Sequence, residues 1–242
     1  MVVRFAIISD VHGNLEALES VVDSARRQSV DAFLCLGDIV GYGANPEECV
    51  SLVREIGALT VAGNHDHAIL GGQNLNYFNH HARDAVLWTR NHVSAETRAW
   101  LGGLSFVEHL EAFSIVHGSL QSPEAFNYVQ TLKDAETNFR LMETNLLFLG
   151  HSHYPLGFFH TAPPTYTVEP LVTLNPSLKT IVNVGSVGQP RDEDSRASFA
   201  LYDDVAGMVE IHRVEYPVER AVEKILSAGL PQALAMRLTL GK

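Results

Sequence analysis

Five short stretches of this chain carry side chains that hold metal ions or move protons. They are Asp10-Val11-His12-Gly13-Asn14, Gly37-Asp38, Gly63-Asn64-His65-Asp66-His67, His117-Gly118 and Gly150-His151-Ser152-His153. Carboxylates suit hard divalent ions, imidazoles suit borderline ones, and an amide oxygen is a neutral ligand. Asp10, His12, Asp38, Asn64, His117, His151 and His153 therefore offer two carboxylates, one amide and four imidazoles. Asp38, with two oxygens, could be shared by two ions. Centres of that kind hold their metals ~3.5–4 Å apart and clamp a displacement at phosphorus. Taken singly, an Asp at a strand end more often caps a helix and a His is more often a satisfied polar group. Five such blocks, each closing an apolar run, make that explanation improbable for the set.

The elements that must position these blocks are legible around them. Phe5 to Ser9 reads as a buried parallel strand, followed by a helix capped by Asn14, with Leu15, Leu18, Val21, Val22 and Ala25 at helical spacing. Ala32 to Leu36 and Leu59 to Ala62 read as the next strands. Between them Asn45-Pro46-Glu47-Glu48 reads as N-cap, first-turn proline and capping-box glutamate of a helix to about Ile56. Such a βαβαβ start places its chemistry in loops at the strand ends. A helical insertion is expected over 79–102, with Ser94 capping its second helix. Strands are expected at 112–117 and 146–150, with a helix around 134–143 between them. The chain then turns β-rich, with strands near 156–160, 171–174, 180–184, 199–203 and 209–214. Helices over 218–228 and 231–238 close it, and one domain over 1–242 is expected.

Composition narrows the function. The 242 residues, 46% hydrophobic, are enough to bury a sizeable core, and the formal net charge is −11. Such a surface repels a phosphate backbone, so duplex nucleic acid is not an expected partner. A small phosphorylated substrate stays compatible, because bound divalent ions reverse the local field. The two cysteines, Cys35 and Cys49, lie in apolar runs and read as buried thiols of a reducing compartment. The first apolar run is too short for a signal sequence and no run reaches membrane-spanning length, so the expectation is a cytoplasmic protein without a membrane partner.

In their order along residues 4–192, the five blocks resemble the calcineurin-like metallophosphoesterase superfamily. The resemblance implies a four-layer α/β sandwich of two mixed sheets, with the β-rich second half supplying the second sheet. It implies one ion held by Asp10, His12, Asp38 and His153, and another by Asp38, Asn64, His117 and His151. The ions would be two among Mn, Fe, Zn, Co and Ni. It further implies in-line attack of a metal-bridging hydroxide on a phosphodiester or phosphomonoester, with His65 giving a proton to the leaving alkoxide.

One departure is informative. The superfamily's Ser/Thr protein phosphatases carry Gly-Asp-x-x-Asp-Arg-Gly, whereas this chain has Gly41 and Tyr42 where that Asp-Arg pair would stand. That weakens the protein-phosphatase and dinucleoside-polyphosphate readings, leaves them as alternatives, and brings the chain nearer the small bacterial and archaeal phosphodiesterases. It also leaves Asp66 or a backbone carbonyl to orient His65. A non-catalytic scaffold of the same fold is the alternative of another class, and the retained His65 argues against it. Arg191, in the Gly-rich turn Asn183 to Asp192, could clamp a phosphate, or instead pair with Asp192 or Asp194 and merely fix the turn. Tyr42, Tyr77, Phe78, His80 and His81 could line a cleft, His67 could stand behind the ligands, and His92, His109, His160 and His212 read as surface or packing residues.

Overall fold

The computed structural model describes residues 3–242. Its first third is the expected alternation: β1 (Arg4–Ile8), α1 (Leu15–Arg27), β2 (Ala32–Cys35), α2 (Pro46–Glu55) and β3 (Leu59–Thr60). Asn14 caps α1 as expected, its side chain accepting from the Ala17 N–H at 3.2 Å. Asn45 precedes α2 but makes no side-chain capping bond. Its N–H donates instead to the Gly13 carbonyl, tying the start of α2 to the loop after β1.

The stretch after β3 is not a simple loop. A short helix, α3 (Asn64–Ile69), begins on Asn64 itself, because Asp66 folds back to accept the Gly63 N–H at 3.1 Å. The insertion follows as α4 (His80–Arg90) and α5 (Ala95–Gly102), with Asn79 and Ser94 as their N-caps. Then come β4 (Val107–His109), β5 (Ser114–Val116), α6 (Leu132–Leu141) and β6 (Leu146–Leu149). The β-rich part holds β7 (Leu156–Phe159), β8 (Thr165–Thr167), β9 (Leu171–Thr173), β10 (Thr180–Asn183), β11 (Ala197–Asp203) and β12 (Met208–Val214). Helices α7 (Val218–Ser227) and α8 (Gln232–Leu240) follow. β4 and β8, three residues each, lack the run length that periodicity needs to show.

The strands form two mixed six-stranded sheets, ordered β3-β2-β1-β11-β12-β9 and β4-β5-β6-β10-β7-β8. The β-rich second half does not build the second sheet alone. β11 runs antiparallel against β1, Ala6 opposite Leu201, and carries β12 and β9 into the first sheet. The alternation of strand faces explains the layers. On β1, Ala6 and Ile8 pack outward beneath the helices α1, α2, α7 and α8, while Ile7 points inward with Phe113, Phe148, Val182 and Tyr202 between the sheets. A third cluster, including Phe139, Leu147 and Ile181, covers the other sheet with α6. The result is helix, sheet, sheet, helix.

In each sheet the parallel strands, β1 with β2 and β3, and β5 with β6 and β10, run in one direction. Asp10, Asp38 and Asn64 follow β1, β2 and β3, while His117, His151 and His153 follow β5 and β6. All of the blocks thus leave the carboxyl ends of strands.

Candidate metal centre

These strand-end loops converge on one buried cluster. Asp10, His12, Asp38, His117, His151 and His153 are each less than a tenth exposed. Three overlapping groups have ligand atoms within 4.8 Å of one another: Asp10, His12 and His153; His12, Asp38 and His65; and Asp38, His117 and His151. Asn64 joins the last group, its Oδ1 lying 3.2 Å from His117 Nε2.

The backbone dictates which ring nitrogens point inward. His12 Nδ1 faces the Val40 carbonyl at 3.2 Å, His117 Nδ1 the Leu36 carbonyl at 2.7 Å, and His153 Nδ1 the Gln189 carbonyl at 2.5 Å. Each carbonyl can only accept, so Nδ1 donates, and the neutral form of each ring leaves Nε2 as a lone pair. Those lone pairs then meet: His12 Nε2 is 3.1 Å from His153 Nε2, and His117 Nε2 is 3.1 Å from His151 Nδ1. The carboxylates are held in the same manner. Asp10 Oδ2 accepts from Ser9 Oγ at 2.6 Å and from the His151 N–H at 2.9 Å, while its buried Oδ1 has no hydrogen-bond partner among the described residues. Asp38 Oδ1 accepts from the His65 N–H at 2.8 Å, and Oδ2 lies 3.4 Å from His117 Nε2 and 3.6 Å from His12 Nε2. Facing acceptors and an orphaned carboxylate oxygen are unfavourable alone and fit shared cations.

Strain is concentrated at the same place. Asp10, His12, Asp38, His151 and His153 all have φ between +51° and +65°, the left-handed region that non-glycine residues avoid. Backbone strain of this kind persists where the surroundings over-determine it, and it clusters at functional sites.

The electrostatics of these side chains follow from burial. Burial lowers the pKa of His65 to about 4 and of His151 to about 3, in both cases against the pull of the Asp38 carboxylate. His12 and His153 are lowered too, again chiefly by burial. Burial acts on His117 in the same sense, but Asp38 overrides it and raises that ring to about 9. The Asp10 and Asp38 carboxyls stay below their ordinary value in spite of burial, held down chiefly by His153 and His117 respectively.

Three of the weaker expectations need correction or completion. Asp66 does not orient His65. Its Oδ1 accepts from the Ile39 and Val40 N–H groups at 3.0 and 3.2 Å and its Oδ2 from Gly63, so it braces the loop that carries Asp38. A backbone carbonyl does not orient it either, since buried His65 Nδ1 has no partner among the described residues. Arg191 is not consumed by Asp192 or Asp194, which pair with Arg213 and Arg196. It reaches the cleft, where Nη2 donates to Gln189 Oε1 at 3.0 Å and to the Tyr42 hydroxyl at 3.4 Å.

The cleft beside the cluster has a volume of about 210 Å³, with Tyr42, Tyr77 and Phe78 on its walls together with His65 and Arg191. His80 and His81 are not among its walls, and His67 packs against Phe106 and Phe126. His92 stacks on Trp88 and His160 on Phe139, away from the cluster. Sequence reasoning passed over Tyr128, which stacks on His151 at 3.9 Å with 11° between the planes. It lies in an irregular polar loop where periodicity has nothing to report.

The domain model of the calcineurin-like phosphoesterase superfamily matches residues 3–206. The chain belongs to this superfamily. It is 39% identical, over 98% of both chains, to an uncharacterised protein of Methanocaldococcus jannaschii. Among solved structures it is similar to a metallophosphoesterase from Sphaerobacter thermophilus, at 40% identity and a TM-score of 0.88 over the full length of both chains. A hypothetical protein of Pyrococcus horikoshii, 20% identical, shares the fold at a TM-score of 0.83 over 99% of both chains. Membership of a phosphoesterase family thus goes together with clustered His and Asp side chains that are candidate metal ligands, and among the described residues no helix is long and apolar enough to cross a membrane.

Proposed function

We propose that this phosphoesterase is dinuclear and hydrolyses a small phosphodiester or phosphomonoester. The convergence of ligand atoms carries the reading: imidazoles held by backbone carbonyls at Nδ1 aim Nε2 at one another and at the Asp10 and Asp38 oxygens. One ion would be held by Asp10, His12, Asp38 and His153, and a second by Asp38, Asn64, His117 and His151. When bound, such ions neutralise charge at phosphorus and make water acidic enough to serve as the nucleophile.

The chain's own residues supply the rest. His65 borders the cleft, with its backbone fixed by Asp38 and its ring free of hydrogen bonds at Nδ1. Burial lowers the pKa of that ring, and a phosphate anion entering the cleft acts on it in the same raising sense as the Asp38 carboxylate. It would then give a proton to the leaving oxygen. Arg191, with buried Nε uncommitted, would hold a phosphoryl oxygen. Asp66 steadies the Asp38 loop and takes no direct part. The size of the cleft favours a small ester over a protein substrate. The whole chain is read as one catalytic unit, because α7 and α8 share the core that covers β1.

Metal analysis of the purified protein, then assay of simple mono- and diesters after manganese reconstitution, tests this reading. Two ions per chain and turnover abolished by chelation are expected. A fully loaded protein that holds a single ion, or that hydrolyses none of these esters, would overturn it.

A further inference from the structure

Arg237 is an unusual arginine for so acidic a protein. It lies on α8, beyond residues 3–206 matched by the family, and is half-buried. Among the described residues its side chain makes no ion pair and no hydrogen bond. Arg4, Arg54, Arg140, Arg196 and Arg213 all have acidic partners. Other unpaired arginines, such as Arg26, Arg27, Arg83 and Arg220, stand exposed, where water solvates the charge. A guanidinium that is partly withdrawn from water without a counter-charge is unfavourable unless an anion visits it.

Its surroundings say where that anion would sit. Arg237 lines a second cleft, of about 350 Å³, with Tyr154, Arg191, Glu193 and Lys242. Lys242 Nζ lies 3.9 Å from Glu193 Oε1, and the Arg191 and Arg237 guanidinium groups remain there without an acidic partner among the described residues. In a chain of net charge −11 this is a local reversal of sign. Arg191 also lines the cleft at the metal cluster, so one side chain forms the partition between the two spaces. Both of its hydrogen bonds use Nη2, and buried Nε has no partner.

We infer that the cleft of Arg191, Arg237 and Lys242 receives a second phosphoryl group of the substrate, so that the preferred ester carries two anionic groups. One would be presented to the metal cluster and the other held beyond Arg191. This rests on the proposed phosphoesterase reading and narrows it. Charge-assisted contacts between guanidinium and phosphate are the stronger class of hydrogen bond, and Arg offers donors in a fork that fits phosphate.

Equilibrium binding separates this inference from catalysis. The phosphonate analogues of thymidine monophosphate and thymidine bisphosphate are not hydrolysed and differ only by the second anionic group, and calorimetric titration of each into the metal-loaded protein gives a ratio of affinities. The parent should favour the bisphosphate analogue by about tenfold or more, as expected for one charge-assisted contact. That preference should shrink as ionic strength rises. Arg237→Ala should bring the ratio close to one, and Arg237→Lys should retain part of it. A parent with no preference, a preference indifferent to salt, or an unchanged ratio in Arg237→Ala would each overturn the assignment. Should Arg237→Ala fail to fold, the salt series on the parent and the lysine variant still decide. Failure to hydrolyse any ester would count against the phosphoesterase reading and leave the ratio of affinities to judge this one.

Discussion

Gly41 lies against the imidazole of His65. A Cβ built on Gly41 would stand 2.9 Å from His65 Cγ and closer still to Nδ1, at a backbone φ of +93°. This is the position at which related protein phosphatases carry an aspartate that supports the histidine. Here the glycine's bare face takes that space, and the ring packs between Tyr42 and Phe78 at centroid distances of 4.5 and 5.2 Å. His65 is thus held by contact with neighbouring rings and not by a hydrogen bond to Nδ1.

Gly41→Ala should therefore be costly twice over. The left-handed backbone disfavours alanine by more than about 1 kcal/mol, which in a chain of this size lowers Tm by roughly 2–4 °C. The new methyl also pushes the ring out of place, so kcat should fall while both ions stay bound. Thermal denaturation and metal analysis on the same preparation check this. Full activity per bound ion in the variant would show that the contact is irrelevant to catalysis.

In the proposed centre, Asp38 is the residue on which two ions, rather than one, would depend. Its Oδ2 faces His12 on one side and His117 on the other, at 3.6 and 3.4 Å. Asp38→Asn keeps an oxygen for the His65 N–H and removes the charge shared by both halves. Metal content should drop from two ions to one or none, and affinity for any remaining ion should fall by at least the 10–100-fold typical of lesser changes around a metal. Two tightly bound ions in the variant would exclude the bridging role.

Much of this centre was legible because its residues close strands. A buried strand shows as an apolar run, and the residue after it is placed without knowledge of the rest. Asp10, Asp38, His117 and His151 were readable on that ground. What was not legible depends on contacts distant in sequence. The Asp66 carboxylate meets the Ile39 and Val40 N–H groups across more than twenty residues, and nothing local distinguishes that from a bond to His65. The same holds for β11, whose pairing with β1 spans most of the chain and assigns the last strands to the first sheet. Tyr128 and Arg237 were missed for a related reason, since an irregular loop and a surface helix give no hint of which cleft they face.

The metal-free protein should be sensitive to acid. Burial lowers the pKa values of His65 and His151 to about 4 and about 3, and those of His12 and His153 in the same direction, while unfolded histidine titrates near 6.5. Below pH 6.5 the unfolded chain takes up protons that the native rings refuse. Stability present above that pH is lost as pH falls towards 4. Asp66 acts oppositely, because burial and Asp38 raise it to about 7, so its contribution is present at low pH and lost as pH rises from 3.8 to about 7. His117, raised to about 9 by Asp38 against burial, likewise loses its contribution from pH 6.5 to about 9. Between pH 4 and 6.5 the lowered imidazoles act against the one raised carboxyl, and each net proton is worth about 1.4 kcal/mol per pH unit. Urea titrations of chelated protein should show the midpoint falling from pH 6.5 to 4. A flat or rising midpoint over that interval would contradict the burial of these rings.

His65 itself gives the sharpest test of the proposed chemistry. Its backbone N–H donates to Asp38 at 2.8 Å, a contact that survives removal of the side chain, so His65→Ala should leave the metal cluster standing. Proton transfer from a positioned side chain contributes typically ~10²–10⁴-fold in rate. The variant should lose kcat by about that factor on alkyl esters, whose alkoxide cannot leave without a proton. On p-nitrophenyl esters the loss should be much smaller, because the phenolate leaves unaided. Burial of the ring accounts for a second signature. Burial holds the ring's pKa down and a phosphate anion beside it acts in the opposite sense, so the parent should take up more protons than the variant on binding an unreactive phosphate. Calorimetry in buffers of different ionisation enthalpy reads that uptake directly. Equal losses on both ester classes, with no difference in proton uptake, would leave His65 a packing residue and return the proton donor to water.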